Sequence, residues 1–242
     1  VNQLSLCLLL TTAQAPLPRP SEPIPYAYTQ PSTNGQYFAV MLPPEGGEDL
    51  SKKQIPVYRE QTAKLKRAYP ASGLYRKGES TPLWTYPGEY CFDCFVSNDG
   101  ETIVVIHGAS WFTAGFPKAA KLNAEEEAAQ LDGPAVSFYR RSGLAKEYTV
   151  RQLVGDPAKL RHSIAHVQWR AGEGINDAKG TFNLFTQDGQ RCRFDLATGE
   201  LLEKSVVDYT AQKIVFGIIF AVVAVATIAA IRWLVKGPKG AV

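Results

Sequence analysis

Methionine occurs once in the 242 residues, histidine three times and cysteine four times. Three histidines (His107, His162 and His166) leave little material for a metal centre, and the second close cysteine pair that a structural zinc site wants is missing. No Gly-x-Ser-x-Gly pentapeptide is present, which excludes the nucleophile elbow of an α/β-hydrolase. Regular helical crossovers between the strand-like runs are also lacking, and parallel α/β units would need them. Charge of neither sign dominates. Lys and Arg number 26 against 23 Asp and Glu, and four of those cations (Lys213, Arg232, Lys236 and Lys239) flank or follow the last apolar run. The remainder, 22 against 23, is nearly neutral and argues for no nucleic-acid partner.

What the chain does have begins with that apolar run. Residues 214 to 231 read IVFGIIFAVVAVATIAAI, eighteen positions without a charge, and Leu234 and Val235 lengthen it. A helix crosses a hydrocarbon core with roughly 20 apolar residues, so a transmembrane helix is expected over 214–235. Trp233 suits the headgroup region, and the cations around and after the run place the tail 236–242 in the cytoplasm. At the other end, Leu4 to Leu10 followed by small residues reads as a secretory signal over 1–15, with cleavage after Ala15 fitting the A-x-A pattern and Thr11-Thr12-Ala13 offering an alternative site. Six prolines between positions 16 and 31 make 16–32 an extended linker. The expected layout is therefore a β domain over 33–204 outside the cytoplasm, a juxtamembrane linker over 205–213, and a single-pass anchor in a bacterial inner membrane.

Inside the domain a short pattern recurs. Thr33-Asn34-Gly35-Gln36, Asn98-Asp99-Gly100-Glu101 and Gln187-Asp188-Gly189-Gln190 each precede a strand-like run: YFAVML, TIVVIH and RCRFDL. Asn-Gly and Asp-Gly suit tight hairpins because the turn needs positive φ. Leu74-Tyr75-Arg76 and Phe138-Tyr139-Arg140 each lead into a further glycine turn, and Phe194 to Leu201 encloses another. Helical inserts are expected over 57–69, which stops at Pro70, and over 118–131, which stops at Asp132-Gly133. Asp156-Pro157 offers the start of one more helical turn. The acid cluster Glu125-Glu126-Glu127 fans around its helix axis and reads as a solvated face.

The segments VSNDGETIVVIH and FDLATGELL resemble blade strands of β-propellers of the WD-repeat or quinoprotein-like kind. The longer string from Gly73 to Leu201 resembles a family of exported bacterial proteins of no known activity. What the resemblance implies is a mainly β fold of antiparallel, blade-like sheets, irregular or partly propeller-like, with the two helical inserts and the C-terminal membrane helix. Three unevenly spaced turn glycines fall short of the 4–8 blades of a closed ring.

The chemistry-bearing candidates are few. If YCFDCFV (90–96) is one strand, Cys91 and Cys94 point to opposite faces about 10 Å apart, which precludes a bond between them. Alternation then puts Cys94 and Cys192 in the core, and these two are the candidate disulfide, with Cys91 free. The run from Val104 to Trp111 resembles the oxyanion-loop segment of α/β-hydrolases around His107, but lacks its nucleophile. His162 and His166 have the spacing of helical metal ligands, yet HSIAH lacks the zincin glutamate and reads as a strand entering the core with Val167 and Trp169. No catalytic, cofactor-binding or metal-binding set is assigned. The expected function is a non-enzymatic, membrane-tethered domain that binds or scaffolds an envelope component, such as another envelope protein. The alternative is an envelope redox or metal-dependent enzyme using Cys91/Cys94 or His107/His162/His166.

Overall fold

Each of the three repeated turns is formed, and each is closed by a hydroxyl two residues before the Asn or Asp. In the computed structural model, which describes residues 25–44, 56–107, 124–162 and 167–207, Ser32 Oγ donates to Asn34 Oδ1 at 2.8 Å and accepts from the Tyr37 N–H at 3.1 Å. Ser97 does the same with Asp99 and the Thr102 N–H, and Thr186 with Asp188 and the Gln190 N–H. The side chain thus supplies hydrogen bonds that the turning backbone cannot make to itself. Glycine follows because φ is positive there, at 65°, 72° and 87° for Gly35, Gly100 and Gly189. Gly100 is required twice over: a Cβ there would stand 2.6 Å from the Tyr37 ring.

These turns organise three four-stranded antiparallel meanders. The first holds β1 (Tyr28–Pro31), β2 (Tyr37–Met41), β3 (Gly73–Arg76) and β4 (Trp84–Thr85). The second holds β5 (Asp93–Val96), β6 (Thr102–Ile106), β7 (Pro134–Arg140) and β8 (Gly143–Thr149). A helix interrupts both sheets at the same place: α1 (Pro56–Ala68) lies between β2 and β3, and α2 (Ala124–Asp132) between β6 and β7. A short helix α3 (Val150–Leu153) follows, started by a capping box between Thr149 and Gln152. Asp156 caps a single 3₁₀ turn, as its pairing with Pro157 suggests. The ribbon of β9 (Arg161–His162) and β10 (Val167–Gln168) then leads to the third sheet. That sheet comprises β11 (Arg170–Asn176), β12 (Thr181–Thr186), β13 (Gln190–Asp195) and β14 (Leu201–Val206). Its repeated turn joins the second and third strands, whereas in the other sheets it joins the first and second.

The second sheet lies between the other two. Successive side chains of a strand point to opposite faces, and β6 (TIVVI) is buried at all five positions. Ile103 and Val105 pack with Ala39, Met41, Leu74 and Trp84 of the first sheet. Val104 and Ile106 pack with Phe138, Phe182, Leu184 and Phe194 on the side of the third. A strand covered on both faces reads as an unbroken apolar run, which explains why β6 lacks the alternation of a half-exposed strand.

Both ends of the stack are tied. At the turn end, Asn34 N–H donates to Asn98 Oδ1 at 2.7 Å, and Asn98 N–H donates to Asp177 Oδ1 at 2.7 Å. Thr102 Oγ1 reaches the Leu196 carbonyl at 3.2 Å. At the opposite end, where β5 and β11 begin, the Arg170 guanidinium bonds Asp93 and also Glu173, the latter at 3.1 Å. The first strands of all three sheets therefore start at one end and finish at the other.

Two expectations are corrected here. The expected single-pass transmembrane helix finds no counterpart: among the described residues no helix is long and apolar enough to cross a membrane. The longest of them, α1, has 13 residues and carries Arg59, Glu60, Lys64, Lys66 and Arg67. It spans about 20 Å against a hydrocarbon core of about 30 Å. Residues 214–235, the signal segment 1–15 and the tail 236–242 lie outside the described residues. Among the described residues the architecture is mainly β with three short helices, one more than the two inserts expected. The second correction concerns the proline-rich linker, whose end is β1. Pro31 is accommodated because β1 is an edge strand, where a missing N–H costs no ladder bond.

Candidate functional site

Two places on the stack bring functional groups together, and the first is built around YCFDCF. The strand begins only at Asp93, so Cys91 precedes it on bent chain and the alternation that separated the two cysteines does not apply. Gly88 marks that approach, packed so closely under Tyr86 and Tyr139 that a Cβ would meet their hydroxyls at 2.3 and 2.8 Å. Both sulfurs consequently turn to the core between the first and second sheets. The Tyr28 hydroxyl, from β1, lies 3.5 Å from Cys91 Sγ and 3.7 Å from Cys94 Sγ, and donates to the Cys91 carbonyl at 3.0 Å.

The two thiols are shifted in opposite directions. A hydrogen bond from Cys94, helped by Tyr28, holds the Cys91 thiol below its usual range despite burial. Cys94 is pushed well above that range by the same hydrogen bond and by its own burial. Tyr28 is pushed upward too, first by burial and then by the two sulfurs, so it stays a protonated donor. A lowered thiol beside a raised one is the arrangement in which one sulfur attacks and the other waits.

His107 stands at the end of β6 on the same side of the molecule. Its Nε2 is 2.7 Å from Ser137 Oγ, and Ser137 Oγ donates to Glu147 Oε2 at 2.7 Å. The single hydroxyl proton is committed to the carboxylate, so the imidazole must be the donor to Ser137. The order is therefore His–Ser–Glu with a fully buried serine in the middle, which is the reverse of a nucleophile activated by histidine. The Tyr139 ring, two residues along β7, stands edge-on to Tyr86 with 4.8 Å between ring centroids, next to the tyrosines around the cysteines.

Burial pushes the His107 imidazole down, with the Glu147 and Glu89 carboxylates partly offsetting it. The folded state thus resists its protonation. Stability from this group is complete above the unfolded value near 6.5 and is lost as pH falls from there towards the depressed folded value. Replacing His107 with Gln, which keeps a donor for Ser137, should flatten the fall in melting temperature below about pH 6.5. Thermal scans of both proteins in overlapping buffers measure it.

The other candidates are apart. His162 pairs with Glu127 at 3.2 Å on the far side of the second sheet, and His166 lies outside the described residues. No group of three metal-ligating side chains occurs among the described residues. Val167 and Trp169 are buried, as the reading of HSIAH as an entry into the core requires. The expected Cys94–Cys192 bridge is not formed: all three described cysteines are free. Cys94 belongs to the core between the first two sheets and Cys192 to the core beside the third. Burial pushes the Cys192 thiol up to about 11, and its sulfur sits 3.8 Å from the Leu153 carbonyl.

The second place is a groove of about 410 Å³ at the turn end, lined by Gln30, Pro31, Ser32, Thr33, Phe95, Val96, Gly174 and Ile175. Its walls are β1 and the turn after it, β5 and β11, the first strand of each sheet. Each of these pairs on one side only. None of the lining residues is charged. The two glycines of β11, Gly172 and Gly174, have open space where a Cβ would be. Sequence reasoning missed this groove; the glycines of RAGEGIN were the available signal, because glycine in a strand often marks close approach by another chain. No protein-family model matches this chain, and no curated protein matches it.

Proposed function

We propose that this chain is a non-enzymatic β domain that binds an extended, uncharged segment of another envelope protein along the groove between β1, β5 and β11. The observation that supports this reading most directly is the convergence of three unpaired sheet edges on one uncharged groove. An exposed edge offers a row of backbone donors and acceptors to an added strand. Phe95, Val96 and Ile175 supply apolar contacts, while Gln30, Ser32 and Thr33 supply polar ones. The glycines of β11 let a second backbone approach closely.

Photo-crosslinking in cells tests it. A photoreactive residue in place of Thr33 should give one discrete protein adduct, and the same residue in place of the exposed Leu202 on β14 should give none. Gly174→Arg, which fills the groove, should abolish the adduct from position 33. Equal labelling from both positions, or an adduct that survives Gly174→Arg, would rule the groove out.

A further inference from the structure

We propose that Cys91 and Cys94 form a redox pair that closes to a local disulfide on reaction with a small hydroperoxide, Cys91 attacking and Cys94 resolving. The proposal goes beyond the binding reading and does not depend on it. Three observations carry it. Both sulfurs stand within 3.7 Å of one phenol oxygen. They occupy one core cluster, with the third described cysteine in another. Cys91 lies before the strand, on chain that is not held in a sheet ladder, so strand alternation does not hold its sulfur away from Cys94.

The roles follow from the surroundings. Cys91 Sγ lies 3.5 Å from the Tyr28 hydroxyl, nearer than Cys94 Sγ at 3.7 Å, and its thiol is held below the usual range, which favours a thiolate there. Cys94 keeps its proton. Relative exposures of 5% for Cys91 and 4% for Cys94 suit a hydroperoxide better than a protein disulfide, which would need an open approach.

The step balances as follows. The Cys91 thiolate attacks the outer peroxide oxygen, the O–O bond breaks, and hydroxide leaves and takes a proton to become water. Cys91 is then a sulfenic acid, oxidised by two electrons. The Cys94 sulfur attacks Cys91 Sγ, the S–O bond breaks, and that oxygen departs as water with the Cys94 proton. Two thiols and one hydrogen peroxide give one disulfide and two waters.

The experiment uses the full chain, reduced with a phosphine, treated with hydrogen peroxide, then alkylated and digested with trypsin. Peptide 78–118 holds both cysteines and no other. It should carry no alkyl group and weigh two hydrogens less than the reduced peptide, while Cys192 remains alkylated. In Cys94→Ser the sulfenic acid should persist at Cys91 and be trapped by a 1,3-diketone reagent. In Cys91→Ser the fast reaction of this peptide should disappear. The proposal is overturned if the wild-type peptide keeps two alkylated thiols under peroxide that oxidises free cysteine. It is equally overturned if Cys91→Ser reacts as fast as the wild type, or if the bridge that forms runs to Cys192 or Cys7.

Discussion

Phe138→Ala should lower the unfolding free energy by about 3–5 kcal/mol, the usual cost of deleting a buried aromatic ring from a core that cannot collapse around the void. Phe138 is fully buried on β7. Its ring centroid stands 5.3 Å from that of Phe194 and 6.0 Å from that of Phe182, so the substitution removes one member of the cluster that joins the second sheet to the third. Because β6 and β7 also cover the first sheet, the loss should spread through the whole stack. Urea unfolding followed by tryptophan fluorescence and by far-UV circular dichroism should therefore show one shifted transition with both probes. Two separate transitions would mean that the third sheet unfolds by itself.

Arg170→Met should cost roughly 3 kcal/mol at neutral pH, near the lower end for breaking a buried ion pair, because Asp93 remains partly solvated. The Arg170 side chain is 7% exposed and Glu173 18%, against 47% for Asp93. Glu173 is the carboxylate left behind. Burial already pushes it above the ordinary value, with Arg170 holding it down and Asp93 adding to the rise. A raised acid destabilises the fold where its unfolded form is ionised, so this penalty is greatest at neutral pH. It should shrink as pH falls through the raised Glu173 value, where the folded carboxylate takes up a proton, and be gone below about 4.5, where the unfolded form is protonated too. Glu173→Gln in the Arg170→Met background should recover part of the loss at neutral pH. Chemical denaturation at two pH values measures both effects, and a cost under about 1 kcal/mol would reduce the pair to an exposed surface contact.

The repeated turns were legible because their requirement is local: positive φ needs glycine, and a preceding Asn or Asp closes the loop. The hydroxyls of Ser32, Ser97 and Thr186 belong to the same local pattern and could have been read with it. The TIVVI run reads as a strand, but its burial on both faces depends on which sheets cover it, and so on contacts such as Asn98 to Asp177, separated by 79 residues. The cysteine pair was misplaced by a single assumption. Alternation was extended back from Val96 to Tyr90, whereas pairing with β6 reaches only Asp93. Strand ends depend on the partner strand's length, which the segment itself does not encode. β1 was hidden for a related reason: the prolines around it signal an extended strap, and only the edge position in the finished sheet lets Pro31 join a ladder. The groove needs three strands that are far apart in the chain, and their convergence is purely tertiary.

Residue-resolved amide hydrogen exchange along β1, β5 and β11 tests the central claim, that three sheet edges stand open for an added strand. In the isolated protein, the amides of β11 that face β12 should be protected, while those facing the groove exchange rapidly. Adding the segment identified by crosslinking should protect the groove-facing set and leave β14 unchanged. Protection of both sets alike before binding, or no change in the groove-facing set afterwards, would contradict the account.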